Sequence, residues 1–391
     1  SVPALVSAVT GDSNSDGTVD RLVLTFNEQV DLSSVGNNNF TLTESAGGSP
    51  TITGSYSSND QTSVTLTLSG VTANNTSLTI SPNYDDATGT IVDNSGNEMS
   101  FSETVSGTDG ARPAMISAVT GDSNTDGSVD QMVVTFSEQV DLSSVDNNNF
   151  TLTESAGGSS LAISGSYSSS DQTTVTLTLT GITANNTSLT ISPDYDDDTG
   201  TIIDNAGNEM SFSETVSGTD GAAPVFSSIT PTENSSIKVA DVGYRLSETI
   251  ANGSVTYRRT GGSADGSSPH AVSLSGSELS LGVRSLAALT NAPTLTSGSI
   301  YMLEFNGTDL VGNLGSELTV TGIVFDGAAP TFIKAWQYDT DGNGNIDEIV
   351  VELSEDVSDA SVVHGDFALG SGSITGFSQA SGSSANSKDV A

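Results

Sequence analysis

DRLVLTFNE, residues 20–28, reads as a single β-strand. Leu22, Leu24 and Phe26 share one face, and Val23 and Thr25 the other. That alternation belongs to a strand with one face on a core. Working outward, similar short runs predict strands near 3–10, 38–44, 51–57, 63–69, 77–82 and 99–107. Gly, Asn, Asp and Ser clusters separate them, as turns require. About seven antiparallel strands in about 110 residues predict two sheets packed face to face. No long helical periodicity competes with this reading.

The pattern then repeats. Residues 1–110 and 111–221 match at roughly four positions in five. TLTESAGGS recurs at 41 and 151, ANNTSLTISP at 73 and 184, and EMSFSETVSGTDG at 98 and 209. A divergent third unit, 222–328, keeps LSE at 246–248, TDLVGN at 308–313 and a closing DGAAP at 326–330. A partial fourth unit, 329–391, opens with its own acidic loop and carries LSED at 353–356. The chain begins at Ser1 without Met, so it is expected to be a mature or excised piece, and because the fourth unit stops mid-repeat the array is expected to continue beyond it, or the remainder of the repeat to be disordered or missing. TDGARP, TDGAAP and FDGAAP mark the boundaries, short linkers that proline stiffens. The predicted architecture is all-β: tandem immunoglobulin-like sandwich domains arranged as an extended rod.

Composition narrows the function. Nine Lys and Arg against 48 Asp and Glu give a formal net charge of −39. Phosphate recognition needs basic residues, so nucleic acid is excluded as a partner, and an anionic membrane surface is disfavoured. The balance suits divalent cations or a saline medium. With no cysteine there is no disulfide framework, zinc-thiolate site or cysteine nucleophile. No stretch is apolar enough to insert in a membrane. The two histidines, His270 and His364, lie in different units, and no G-x-S-x-G elbow accompanies them, so no enzyme is expected. A single tryptophan, Trp336, speaks against a carbohydrate platform. Asn-x-Ser/Thr sequons occur at Asn39, Asn74, Asn75, Asn149, Asn185, Asn186, Asn234, Asn252 and Asn306, with Asn74 and Asn185 the best-placed acceptors. Tyr257-Arg258-Arg259 is expected on a surface strand.

LTFNE or VTFSE on the second strand, D-x-x-G-N before the last, and the closing DGAAP together resemble the immunoglobulin-like repeats of large bacterial and archaeal surface proteins. Those include adhesins, matrix fibres and surface-layer proteins. The resemblance covers essentially the whole chain. It implies an extracellular, cell-surface location.

Two sets of oxygen ligands stand out. GDSNSDGTVD, residues 11–20, fits the first nine positions of an EF-hand-type calcium loop. In such loops positions 1, 3 and 5 give side-chain oxygens, position 6 is Gly, position 7 gives a carbonyl and position 9 completes the set. The predicted ligands are Asp12, Asn14, Asp16, Thr18 and Asp20. In the second copy they are Asp122, Asn124, Asp126, Ser128 and Asp130. In the fourth unit they are Asp339, Asp341, Asn343, Asn345 and Asp347. Position 12 is Val in all three, and the loop runs into a strand, so the likeness to dockerin and thrombospondin loops ends after nine residues. An Asx-rich turn explains the same residues without an ion. The third unit lacks this pattern.

The second set follows from reach. Eight residues of strand separate Asp20 from Glu28, about 26 Å, so Glu28 sits at the opposite pole, where the chain enters the unit. The loop before the last strand shares that pole. It brings Asp85, Asp86, Asp93 and Asn97 beside Glu28 in unit one. At the first junction the set is Asp109, Glu138, Asp196, Asp204 and Asn208; at the second Asp220, Glu248, Asp309 and Asn313; at the third Asp326 and Glu355. A calcium ion at each junction is predicted, as in cadherins, with D-x-x-G-N as a mere hairpin turn the competing explanation. The predicted function is an extracellular structural repeat region, a calcium-stiffened rod for adhesion, spacing or assembly. Its partners are calcium and either copies of itself or other surface proteins. Alternatives are a surface-layer or fibre subunit with lateral contacts, or the non-catalytic region of a secreted enzyme.

Overall fold

The structure is a computed structural model, describing the chain apart from residues 46, 55–59, 72–77, 86–88, 156–160, 165–171, 183–188, 195–199, 212–213, 358–360, 377–386 and 391. Unit one holds β1 (Leu5–Gly11), β2 (Arg21–Phe26), β3 (Phe40–Glu44), β4 (Thr51–Ile52), β5 (Ser63–Ser69), β6 (Leu78–Pro82) and β7 (Val105–Thr108). They are hydrogen-bonded in the order β3-β6-β7-β1-β2-β5-β4. Unit two repeats this with β8 (Met115–Gly121), β9 (Gln131–Phe136), β10 (Phe150–Glu154), β11 (Ala162–Ile163), β12 (Thr174–Thr180), β13 (Leu189–Pro193) and β14 (Val216–Thr219).

The alternation read in β2 decides which face is inside. Leu22, Leu24 and Phe26 are buried with Val64, Leu66 and Leu68 of β5 and with Leu78 and Ile80 of β6. The two wings of the ladder therefore fold onto one another as a sandwich. Each such aliphatic side chain contributes roughly 1.5–3 kcal/mol on burial. Val23 and Thr25 face outward, as expected.

Two details differ from expectation. The strands are not all antiparallel. β1 pairs antiparallel with β2 but parallel with β7, through Ala8↔Gly107 and Val9↔Thr108. Both run from the pole where the chain enters toward the pole where it leaves. The last strand also begins at Val105, not near residue 99. The segment before it is drawn into the core by Met99, whose N–H bonds the Ile91 carbonyl at 2.8 Å, so it cannot extend the ladder.

Unit three has eight strands, not seven: β15 (Phe226–Thr230), β16 (Ser236–Ile237), β17 (Asp241–Leu246), β18 (Ile250–Gly262), β19 (His270–Ser273), β20 (Gly282–Ala288), β21 (Ser299–Asp309) and β22 (Leu318–Phe325). They form separate sheets, β15-β17-β20 and β16-β22-β21-β18-β19. Phe226, Tyr244 and Phe305 cluster in its core with ring centroids 5.3–6.1 Å apart. Tyr257 is buried, its hydroxyl donating to the Ala240 carbonyl at 2.8 Å, so only the arginines of the Tyr-Arg-Arg run reach the surface. Unit four contributes β23 (Phe332–Tyr338), β24 (Glu348–Val357) and β25 (Ser387–Val390) around Val351 and Leu353.

Among the sequons, Asn39 and Asn149 are fully buried. Each accepts a backbone N–H and donates to the carbonyl of Gly89 or Gly200, which rules them out as glycan acceptors. Asn74, Asn75, Asn185 and Asn186 lie outside the described residues.

Candidate cation sites at the unit junctions

The strand paired with the first in each unit (β2, β9, β17, β24) carries near or just past its end a pair of residues with divided tasks. In unit two, Ser137 Oγ accepts the N–H of Ala114 at 3.0 Å; in unit three, Ser247 Oγ accepts that of Val225 at 2.9 Å; in unit four, Ser354 Oγ accepts that of Thr331 at 2.9 Å. Asn27 does the same for Ala4 in unit one, at 2.8 Å. The serine of the Ser-Glu pair thus ties down the incoming chain. The glutamate follows immediately, and successive side chains point to opposite sides of the backbone. Glu138 and Glu248 therefore turn into the junction.

The D-x-x-G-N loop supplies the next carboxylate. Asp309 Oδ1 accepts N–H bonds from Val311, Gly312 and Asn313 at 2.6–2.9 Å, and its Oδ2 takes the Asn313 amide at 2.7 Å. Asp204 is held by Ala206 and Asn208 in the same way. Asp93 of unit one is held by Ser95 and Asn97, and the Asn97 bonds draw its pKa down. The turn needs Gly207 and Gly312 at φ 91° and 107°, where a side chain is strained. Asn208 and Asn313, expected as ligands, also use their side-chain N–H groups: Asn313 donates to the carbonyls of Asp220 at 3.1 Å and Ala222 at 3.2 Å, and Asn208 to that of Asp109 at 3.4 Å. They clamp the linker.

The clamp brings the linker aspartate into place. Asp109, Glu138 and Asp204 each offer a carboxylate oxygen, all within 4.8 Å of one another; Asp220, Glu248 and Asp309 form the same group one junction on. Exposure is 3% for Glu138 and 2% for Asp204, Glu248 and Asp309. Oε1 of Glu138 and Oε1 of Glu248 are buried without a hydrogen-bond partner. No ion pair among the described residues reaches either group. Burial, then the charges of Asp109 and Asp204, push the Glu138 carboxyl up to about 9. Burial, then Asp220 and Asp309, push Glu248 up to about 8. Burial also raises Asp109 and Asp220. Three oxygens pointing at one spot with no donor between them suit either a shared proton or a hard cation.

The remaining pole residues are less complete. Glu28 accepts from Ser1 Oγ at 2.9 Å, and its Oε1 is buried without a partner. Glu28 and Asp93 belong to no cluster of three carboxylates among the described residues. Asp326 and Glu355 meet as a pair, and burial with the Asp326 charge raises Glu355. Asp85 is buried, and Asp86 and Asp196 fall outside the described residues.

In the opening loops the carboxylates also serve the turn. Asp12 accepts from Ser15 and Gly17 at 2.8 and 2.7 Å, Asp16 from Thr18 at 2.9 Å, and Asp20 from Ser13 at 2.7 Å. Asn14 Oδ1 accepts from Asp16 N–H at 3.1 Å. Asp122, Asn124, Asp126 and Asp130 repeat the scheme with Gly127, Asp126, Ser128 and Ser123. Asp339, Asp341 and Asp347 converge within 4.8 Å; among the described residues the first two loops gather no such trio.

Where these loops point is a matter of packing between units. A methyl group on Gly17 would stand 2.6 Å from Ser137 Cβ and 3.2 Å from Ile116 Cγ2; one on Gly127 would stand 2.7 Å from Ser247 Cβ. Each loop is packed on the next unit, against the serine that precedes the junction glutamate. Glu214, which sequence reasoning passes over, lines the same cleft with Ser15 and Asp16, and burial lifts its carboxyl to about 7. Its copy Glu103 in unit one is the available signal.

A family profile described as a bacterial Ig-like domain matches residues 1–106 and 109–217. No curated protein matches the chain. Among solved structures, the N-terminal part of the bacterial S-layer protein SbsC is 12% identical, covering 56% of this chain and 44% of its own, at a TM-score of 0.23. Domains 1–6 of surface layer protein SbsC are 14% identical over 100% of this chain and 62% of theirs, at 0.21. The titin I9–I11 tandem is 9% identical over 83% of this chain and 99% of its own, at 0.22. The chain thus spans less than half the length of the first S-layer fragment. At such scores these likenesses carry no weight for function. No helix among the described residues is long and apolar enough to cross a membrane.

Proposed function

This chain belongs to the bacterial Ig-like domain family, and on that premise we propose that it is the structural repeat region of a microbial cell-surface protein, a rod stiffened by calcium. It serves spacing, adhesion or assembly outside the cell. The observation that carries the reading is the pair of buried junction clusters, each with an unpartnered glutamate oxygen. Each draws carboxylates from the linker and from the unit that follows, so an ion there ties neighbouring units together. The opening loops, including the convergent Asp339, Asp341 and Asp347, hold further ions.

The energetic effect is substantial. Extracellular calcium modules bind with Kd near 10⁻⁴ M. At about 100-fold excess one ion adds roughly 2.7 kcal/mol, against a typical domain stability of about 5–15 kcal/mol. Without the ion, three carboxylates face one another and the junction loosens. The test is small-angle X-ray scattering with calcium and with chelator, alongside thermal melts. Chelation is expected to shorten the maximum dimension and lower Tm. Identical scattering and identical melts in both conditions refute the reading.

A further inference from the structure

We propose that the opening loop of each of the first two units is a latch for the junction after it, so that a loop seated on the next unit is a condition for the neighbouring cluster to take its ion. The inference rests on the calcium reading above and deepens it. Gly17 and Gly127 occupy position six of their loops, with φ 83° and 87°. That geometry alone calls for glycine. Their bare Cα atoms also serve a second purpose: they let the loop lie flat on Ser137 and Ile116, and on Ser247 and Val225.

Ser137 and Ser247 are the residues beneath the latch. Each holds the incoming chain by an N–H bond, to Ala114 and Val225, and each is followed directly by the junction glutamate. A loop that lifts frees the next unit to tilt. The linker aspartate then moves relative to Glu138 and Asp204, or to Glu248 and Asp309, and the trio of oxygens opens. Loop and cluster therefore form one contact surface built from two units. They are not separate sites at opposite poles.

The fourth unit supplies a control within the same chain. Gly344 has the same position in its loop and φ 86°, but a methyl group there would meet nothing within 4 Å. Gly344→Ala carries the local backbone strain without the wedge; Gly17→Ala and Gly127→Ala carry both. Calcium titration of the full chain by calorimetry measures the effect. Glu138→Gln and Glu248→Gln identify which ions belong to the junctions. Gly17→Ala and Gly127→Ala are expected to weaken the junction ions by on the order of tenfold. Gly344→Ala leaves the junctions unchanged and affects its own loop alone. Ile116→Gln, which alters the receiving surface without touching the loop, is expected to weaken the first junction in the same direction. If the junction ions bind with wild-type affinity in Gly17→Ala, Gly127→Ala and Ile116→Gln, the latch is overturned while the calcium reading survives. If wild-type protein binds no calcium, both fall.

Discussion

Replacing Glu248 with Gln separates a ligand from a structural polar group. Without calcium, the Glu248 carboxyl sits near 8 in the folded chain against an ordinary value near 4.5. A carboxyl raised on folding binds a proton that the unfolded chain has released. Stability is therefore lost as pH rises from about 4.5 toward about 8, by at most about 1.4 kcal/mol per pH unit. By pH 7 the loss is on the order of 3 kcal/mol. Glu248→Gln keeps the shape, cannot ionise, and escapes this loss. In chelator at pH 7 the variant is expected to melt at or above wild type, by several degrees for a domain of about 100 residues. In excess calcium the order reverses. Wild type gains roughly 2.7 kcal/mol from the ion at about 100-fold excess, and the variant forfeits that share. The assay is differential scanning calorimetry between pH 5 and 8, with and without calcium. A variant destabilised equally in both conditions refutes the reasoning, because Glu248 would then be holding structure, not an ion.

Four further outcomes are expected. Asn313→Ala removes the clamp on the Asp220 and Ala222 carbonyls and one donor to buried Asp309; it should cost roughly 1–3 kcal/mol in chemical denaturation. Asn313→Asp should cost more, since it sets a like charge beside Asp309. Leu24→Ala, in the fully buried face of β2, should destabilise unit one by roughly 2–5 kcal/mol, whereas Thr25→Ala on the other face should change it by about 0.5 kcal/mol or less. Asp339→Asn should lower the calcium count of the full chain by one as read by mass spectrometry under native conditions, with no change at the two junction clusters, which share no residue with it.

Much of this was legible because the residues that make strands are also those that repeat. Leu22, Leu24 and Phe26 announce the buried face of β2 by spacing alone, and the copies at Met132, Val134 and Phe136 behave alike. Asp109, Glu138 and Asp204 are far apart in sequence, yet strand length placed them at one pole. What escaped was whatever depends on contact between elements. The parallel pairing of β1 with β7 joins residues about a hundred positions apart and leaves no local mark. That Asn313 also clamps the linker shows only in its bonds to the linker carbonyls. Tyr257 sits beside two arginines and reads as surface, but its hydroxyl finds a buried carbonyl. The loop of one unit meets the next because β1 ends at the pole from which the linker departs, a relation between two copies that no single copy contains.

The parallel pair β1 and β7 bears on how such a unit carries load. One strand leads into the unit and the other leads out, side by side and pointing the same way. Tension applied through the two ends drags them past each other along their length. The bonds joining Ala8 and Val9 to Gly107 and Thr108 are then strained together, as in a lap joint, and do not open in succession like a zip. The seam is short. Thr10 and Thr108 add side-chain bonds across it, to the Thr108 carbonyl at 3.3 Å and the Ala8 carbonyl at 3.2 Å. Where a unit first yields under pulling is thus set by a few residues beside the linker and not by the depth of its core.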